Sequence, residues 1–368
     1  MKLLIVTDNY NIGGPATYTR LLADHLPQEN IEVEILSFEL VKKLPKIIRH
    51  FVFFLKVFGK LRKNDIIFAQ DPVSVGLPSV MATKILAKKM IVRFVGDYAW
   101  EQSVQRFGVK ENIDDFQNKK YGFKVEFLRK IQIFVLNKVD TIITPSVYFA
   151  ELVKRWLKNP DKVHPIYNGI DTSAPKLNRS EARQKLGISS EDVILFSAGR
   201  LVPWKGFDLL LDIMPGLLKE GDKYKLAIIG DGPDKHKLTK QVKDLKLQSI
   251  VDLKGQMNRS DLLLYLQAAD VFILNTGFES FSFHVVEAMY YNVPVITTNV
   301  CNLSEIIINN EEGILVDYNN KDQIVQALNK ILKNKEFREK IITQASKKAE
   351  NFSIKKTMDR VTEVLQNL

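Results

Sequence analysis

Cysteine is almost absent. Cys301 stands alone in 368 residues, so no internal disulfide can form and a reducing, cytoplasmic setting is expected. No apolar run reaches the ~20 residues needed to span a bilayer. The longest, residues 47–58, is interrupted by Arg49, His50 and Lys56. The opening MKLLIVTDNY has too short an apolar part for a secretory signal and reads as a first β-strand. D-x-D occurs nowhere, and no group of His, Asp and Glu has metal-ligand spacing, so no metal is expected. The sequence also lacks G-x-G-x-x-G, G-x-S-x-G and the P-loop lysine motif. Those absences argue against a dinucleotide fingerprint, a nucleophile elbow and a P-loop phosphate site.

What is present is ordinary in bulk and uneven in charge. Hydrophobic content of 45% and charged content of 26% are those of a globular protein. The length makes two domains the natural expectation. Residues 1–170 hold 26 Lys and Arg against 17 Asp and Glu, and nearly all of the formal +10 charge lies there. That asymmetry suggests two units with different partners, one of them anionic or a membrane surface.

Short β-branched runs alternate with amphipathic stretches throughout. Strands are expected near Leu3–Val6, Glu32–Ser37, Ile66–Ala69, Met90–Phe94, Thr141–Thr144 and His164–Tyr167. A second set falls near Val193–Ala198, Lys225–Ile229, Val251–Lys254, Val271–Leu274, Val293–Thr297 and Ile314–Val316. Such alternation implies an α/β fold with parallel sheets covered by helices on both faces. The boundary is expected in Asn168–Arg179, which is rich in turn formers and lacks periodicity. The chain ends in an amphipathic stretch near residues 353–368 that has no partner strand.

Four constellations could carry chemistry. The first is the turn containing Gly13 and Gly14, ahead of a helix at about Ala16. Adjacent glycines admit close backbone approach, and a helix N-terminus offers unpaired N–H groups to an anion. A tight turn without a ligand would look the same. In the second, Gly199-Arg200-Leu-Val-Pro-Trp204-Lys205-Gly206, two cations at a strand's carboxyl end could clamp a diphosphate. Two solvated loop cations are the plainer alternative. The third is the pair Glu279 and Glu287, in the loop leaving one strand and on the helix after it. Ser282 is placed to cap that helix, leaving amides near Phe283–Val285 for a phosphate. An exposed loop acid and a helix acid favoured by the macrodipole would need no ligand. The fourth, Gly230-Asp231-Gly232-Pro233, says only that a tight turn follows a strand.

Taken in order, these residues resemble the retaining glycosyltransferases of family 4, the group 1 family of GT-B fold. The match includes Tyr167-Asn168-Gly169-Ile170-Asp171, the G-R-L-x-x-x-K-G run from Gly199 to Gly206, Ala268-Ala-Asp270, and Glu279 to Glu287 followed by Ala288-Met289. The resemblance implies two Rossmann-like domains facing across a cleft: an acceptor-binding domain over 1–168 and a nucleotide-sugar-binding domain over 172–350. A crossover helix over 351–368 would return to the first. It also implies that Arg200 and Lys205 neutralise the diphosphate, Glu287 holds the ribose and Glu279 contacts the donor sugar. Backbone near Gly13, Gly14, Phe281, Ser282 and Phe283 would help to bind phosphate and sugar. Gly199 and Gly230 would line the donor site, and the stretch from Gly255 to Met257 would contact the base. No cofactor is implied, since the nucleotide-diphosphate sugar is a substrate. The acceptor hydroxyl would attack from the face the diphosphate leaves, retaining configuration.

The chain departs from the family pattern in places. Gly96 occupies the usual histidine position before Asp97, so a familiar contact to the donor sugar is missing, and Asp97 is a candidate acceptor or sugar contact. Ser282 and His284 stand where glycine and proline are common. Rival readings are another GT-B enzyme, such as a sugar-nucleotide epimerase or a phosphorylase, or a non-catalytic nucleotide-sugar or anionic-surface binding protein. On the acceptor side, residues 39–63 hold eight Lys and Arg against one acid, interleaved with Phe51, Phe53, Phe54 and Phe58. Arranged as a helix, they would suit an anionic membrane surface, placing the enzyme on the inner face of the cell membrane, with a glycan or lipid-linked saccharide as acceptor. A core helix with a solvated basic face fits the same composition. No nucleic-acid module accompanies the basic residues.

Overall fold

The computed structural model describes residues 1–10, 14–220 and 223–368. The chain divides into two compact units, Met1–Asn168 with Ile354–Leu368, and Gly169–Ser353. The first contains strands β1 (Lys2–Thr7), β2 (Glu32–Ser37), β3 (Ile66–Ala69), β4 (Lys89–Arg93), β5 (Thr141–Thr144) and β6 (Val163–Pro165). They form one parallel sheet in the order β2-β1-β3-β4-β5-β6. The second contains β7 (Asp192–Ala198), β8 (Lys223–Ile229), β9 (Val251–Gly255), β10 (Val271–Leu274), β11 (Val295–Thr298) and β12 (Ile314–Val316). Their order, again parallel, is β12-β11-β10-β7-β8-β9.

Strands β3, β5, β10 and β11 are buried at every residue. That is the signature of a parallel sheet covered on both faces, and it explains why their sequences are continuous apolar runs. In the first unit, Leu3, Ile5, Ile66, Phe68, Ile91 and Ile143 face a core shared with Tyr18 and Leu22 of the helix Gly14–His25. Met358, Val361 and Leu365 of the helix Ile354–Gln366 complete it. Thr357 Oγ1 donates to the Tyr167 carbonyl (2.8 Å), tying the returning helix to the end of the first stretch. In the second unit, Ile170 N donates to Phe352 O (2.8 Å), so the two crossing segments lie side by side.

Each sheet has one place where neighbouring strands send their connections in opposite directions. In the first it lies between β1 and β3, in the second between β7 and β10. Such switch points open a crevice outside the carboxyl ends of the strands, where open α/β sheets bind ligands.

Residues 39–63 are not one helix. A 3-10 turn covers Phe38–Val41, and the helix spans Lys46–Leu61. Pro45, its N-cap residue, is extended (ψ 148°) and separates the two. Phe53, Val57 and Leu61 are buried, whereas Ile48, Phe51 and Leu55 are exposed. The inward face is therefore a core face and the outward face a separate surface. No helix among the described residues is long and apolar enough to cross a membrane.

Candidate active site

The loops leaving β7 and β10 are laced together at the switch point. Gly277 N donates to Trp204 O at 2.7 Å, and Thr276 Oγ1 donates to the same carbonyl at 3.2 Å. The buried Asn275 amide donates to Gly206 O (3.0 Å) and to Asn319 Oδ1 (2.8 Å). Gly206 has φ +50°, and a Cβ there would lie 2.3 Å from Asn275 Nδ2, so this lacing requires glycine. Lys205 ends a 3-10 turn just before it. Its ammonium consequently meets the Glu279 carboxylate at 2.5 Å, with both side chains about 13–14% exposed. The sequence reading gives these residues separate partners; the structure makes them one ion pair. Arg200 is exposed and carries no hydrogen bond or ion pair from its side chain among the described residues.

Glu287 lies on the helix Phe283–Tyr290 and is completely buried. Arg259 Nη1 donates to its Oε1 at 2.6 Å, and His284 Nδ1 lies 3.0 Å from its Oε2. Burial pushes the carboxyl up, but the His284 hydrogen bond and charge, together with the Arg259 guanidinium, outweigh it and hold it below the usual carboxylate range. Arg259 also donates to the Asp171 carbonyl (3.1 Å), anchoring the guanidinium from its other end. Arg259 is absent from the sequence reading. Asn258, which accepts from Asp261 N at 2.9 Å, marks a helix start in the sequence, but nothing local says that the next residue reaches Glu287.

That geometry makes an acid-stability prediction. Glu287 titrates lower in the folded chain than in the unfolded one, so its contribution is complete above the unfolded value of ~4.3 and is lost as pH falls through the folded value. Arg259→Gln removes the opposing guanidinium, and acid unfolding should begin at higher pH at a cost of about 1–3 kcal/mol near neutrality. Melting temperatures of both proteins from pH 3 to 7 check this; superimposable profiles contradict it.

Ser282 caps its helix, with Oγ accepting from Val285 N at 3.3 Å. The Val285 amide is therefore engaged by the cap, which corrects the expectation that amides through Val285 stay available to a phosphate. Phe281 is buried against Phe283 and Phe352, with ring centroids 5.4 and 5.9 Å away. The amides of Gly199 and Gly230 extend the sheet, donating to Ile229 O (3.0 Å) and Gly255 O (2.9 Å). A Cβ on Gly230 would lie 1.9 Å from Gly199 O, which gives that glycine a packing reason independent of any ligand. Met257 is half-buried in the loop between β9 and the helix Arg259–Ala268.

In the first unit, Gly14 begins the helix Gly14–His25, and Gly13 lies outside the described residues. Asp97 is buried and caps the helix Tyr98–Arg106. It accepts from Trp100 N (3.1 Å), Gln117 Nε2 (2.8 Å) and Gln132 Nε2 (3.2 Å). Burial pushes its carboxyl up against the pull of those donors. Asp71, just past β3 at the switch point, is pushed up to about 6 by burial despite amide hydrogen bonds from Ser74 and Val73.

Comparison with known proteins agrees with this architecture. The family described as Glycosyltransferase Family 4 matches residues 12–174, and the family described as Glycosyl transferases group 1 matches residues 178–348. The fold is that of the GT-B glycosyltransferases, and the chain belongs to their group 1 family. An uncharacterized glycosyltransferase of Methanocaldococcus jannaschii is 32% identical over 212 residues, 56% of this chain and 54% of the relative. The alpha-monoglucosyldiacylglycerol synthase of Streptococcus pneumoniae is 27% identical over 263 residues, 70% of this chain and 57% of the relative. The chain thus spans little more than half the length of these curated relatives. Among solved structures, Anabaena HepE in complex with UDP and glucose matches over 100% of both chains, with a TM-score of 0.81 at 18% identity.

Proposed function

We infer that the protein is a retaining, metal-independent transferase. It moves a sugar from a nucleotide-diphosphate sugar to a hydroxyl of a glycan or lipid-linked saccharide of the cell envelope. The observation that carries this reading is the meeting of Lys205 and Glu279 at the β7/β10 switch point, with the buried, cation-held Glu287 on the helix that follows.

The bond between the anomeric carbon and the β-phosphate oxygen breaks, and its electron pair leaves with the diphosphate. Lys205 and Arg200 neutralise the charge that grows there. Preorganised donors in such a role are worth ~3–4 kcal/mol each. Because the ammonium is already aimed by Glu279, the diphosphate meets a positioned cation. Glu279 then lies beside the sugar. Glu287 is closed off from solvent by Arg259 and His284, so a ribose diol reaches its spare acceptor capacity as the exposed Arg259 side chain gives way. The acceptor oxygen forms its bond to the anomeric carbon on the face just vacated, and its proton passes to the departing phosphate oxygen. The name of the pneumococcal relative supports a lipid-linked acceptor, and the HepE complex supports a uridine nucleotide with a hexose. The basic helix Lys46–Leu61 supports a peripheral place at the inner face of the membrane.

With an α-configured donor, NMR of the product should show an α-linkage, and excess EDTA should leave turnover unchanged. A β-linked product contradicts retention. A tenfold loss restored by a divalent cation contradicts metal independence. Arg200→Ala should lower turnover at least tenfold with an unchanged melting temperature.

A further inference from the structure

Three helices of the first unit share an outward surface that its core does not use. Helix Lys46–Leu61 exposes Ile48, Phe51 (61%) and Leu55; helix Gly76–Leu86 exposes Met81 and Ile85 (63%). Helix Phe123–Lys138 exposes Phe123 (83%), Phe127 (52%) and Phe134. On this last helix, Phe123, Phe127, Lys130, Phe134 and Lys138 are all exposed and recur at i, i+4, i+7, i+11 and i+15, a single stripe. Met81, Lys84 and Ile85 make a shorter stripe of the same kind.

These stripes belong to one side of the sheet. The connections β2 to β3, β3 to β4 and β4 to β5 all run in the same direction along the strand order. Right-handed crossovers therefore place their helices on the same face. The helix Gly76–Leu86 packs against both of the others. The opposite face is the one closed by the helices Gly14–His25 and Ile354–Gln366.

Charge says what covers this surface. The three helices carry one acidic residue, Glu126, and it is held by Arg129 at 2.9 Å. A water-facing helical surface ordinarily mixes both signs. The cations here lie beside aromatic rings: Arg62 is 5.0 Å from the Phe58 ring centre, Lys138 5.9 Å from Phe134, and Lys124 5.9 Å from the exposed Phe107. An apolar body with a basic head at its edge fits the boundary between acyl chains and anionic headgroups. A second copy of the chain would set lysine against lysine.

We propose that the helices Lys46–Leu61, Gly76–Leu86 and Phe123–Lys138 form one membrane-docking face whose occupant is a leaflet rich in anionic lipid. This rests on the peripheral reading given above and enlarges it from one basic segment to a three-helix surface. Docking uses aromatic insertion together with headgroup charge, so it weakens with salt.

Flotation of the full chain with phosphatidylcholine vesicles, with and without phosphatidylglycerol, tests the proposal. The wild-type protein should float only with the anionic vesicles and should be released by high salt. F51E/L55E and F123E/F127E should each cut the floated fraction at least tenfold with unchanged melting temperatures. Wild-type protein that stays at the bottom, or floats equally with neutral vesicles, overturns the anionic-lipid reading and leaves sugar transfer untouched. Flotation lost in F51E/L55E but kept in F123E/F127E retains the single basic helix and overturns the three-helix face. Should either variant unfold, amide exchange of the wild-type protein decides. Slowing by anionic vesicles in both outer helices supports the face, and slowing in one alone overturns it.

Discussion

Lys205→Ala should lower turnover by about 10²- to 10³-fold while the protein remains folded. The size follows from the role proposed for it: an ammonium aimed before substrate arrives would stabilise charge that appears only as the diphosphate leaves. The fold survives because the lost contact is one ion pair at the rim of the strand ends, not a core element. Its removal leaves Glu279 without its cation, a cost of about 1–3 kcal/mol against a typical stability of 5–15 kcal/mol. The loop lacing through Trp204 O, Gly206 O and Asn275 does not involve the lysine side chain, so the β7 and β10 loops should keep their places. Steady-state turnover with a saturating donor, alongside thermal unfolding, separates the two effects. Near-normal turnover in a folded variant removes Lys205 from the chemistry.

Asp270→Ala should be strongly destabilising to the second unit, at about 3–5 kcal/mol. The carboxylate, only 8% exposed, sits at the start of β10 and gathers three arginines. Arg183 Nη2 reaches it at 2.5 Å, Arg179 pairs with its other oxygen, and Arg338 stands 3.8 Å away. Ile194 N of β7 also donates to it, at 2.7 Å. Alanine would leave the buried Arg183 guanidinium without its counter-charge and the Ile194 amide without its acceptor. For a unit of this size the melting temperature should fall by roughly 10 °C. A fall of less than a degree or two would mean that the arginines are held by other groups. Turnover below the new melting temperature should change little, because Asp270 lies at the amino end of its strand, away from the strand ends that carry Lys205 and Glu279.

The central strands were legible because the sheets are parallel and buried on both faces, so β3, β5, β10 and β11 are apolar runs with turn residues at their ends. The edge strands β2 and β9 instead alternate apolar and charged residues. Every expected strand is present, and the differences lie at the ends. β11 begins at Val295, not Val293. Val293 N instead donates to Ala288 O (2.8 Å), closing the helix before it, and Pro294 has no N–H to give the ladder. The segment 39–63 broke at Pro45 for the same local reason. The site was legible as a set of residues and opaque as a set of contacts. Lys205 and Glu279 are 74 positions apart, and only the adjacency of β7 and β10 brings them together. Arg259 is invisible for the same reason: its bond to Glu287 spans 28 positions and two loops. Sequence patterns report burial and turns well, but an ion pair between loops depends on strand order.

On the function proposed above, the carboxyl ends of β7 and β10 hold a nucleotide-diphosphate sugar through Lys205 and Glu287. Titration calorimetry of UDP-, GDP- and ADP-hexoses into the wild-type and Glu287→Gln proteins tests it directly. One nucleotide class should bind the wild-type protein, and Glu287→Gln should weaken it about ten- to a hundredfold, the loss expected for hydrogen bonds to a charged acceptor. Absence of binding by all three classes, or equal affinity in the two proteins, would contradict this binding mode.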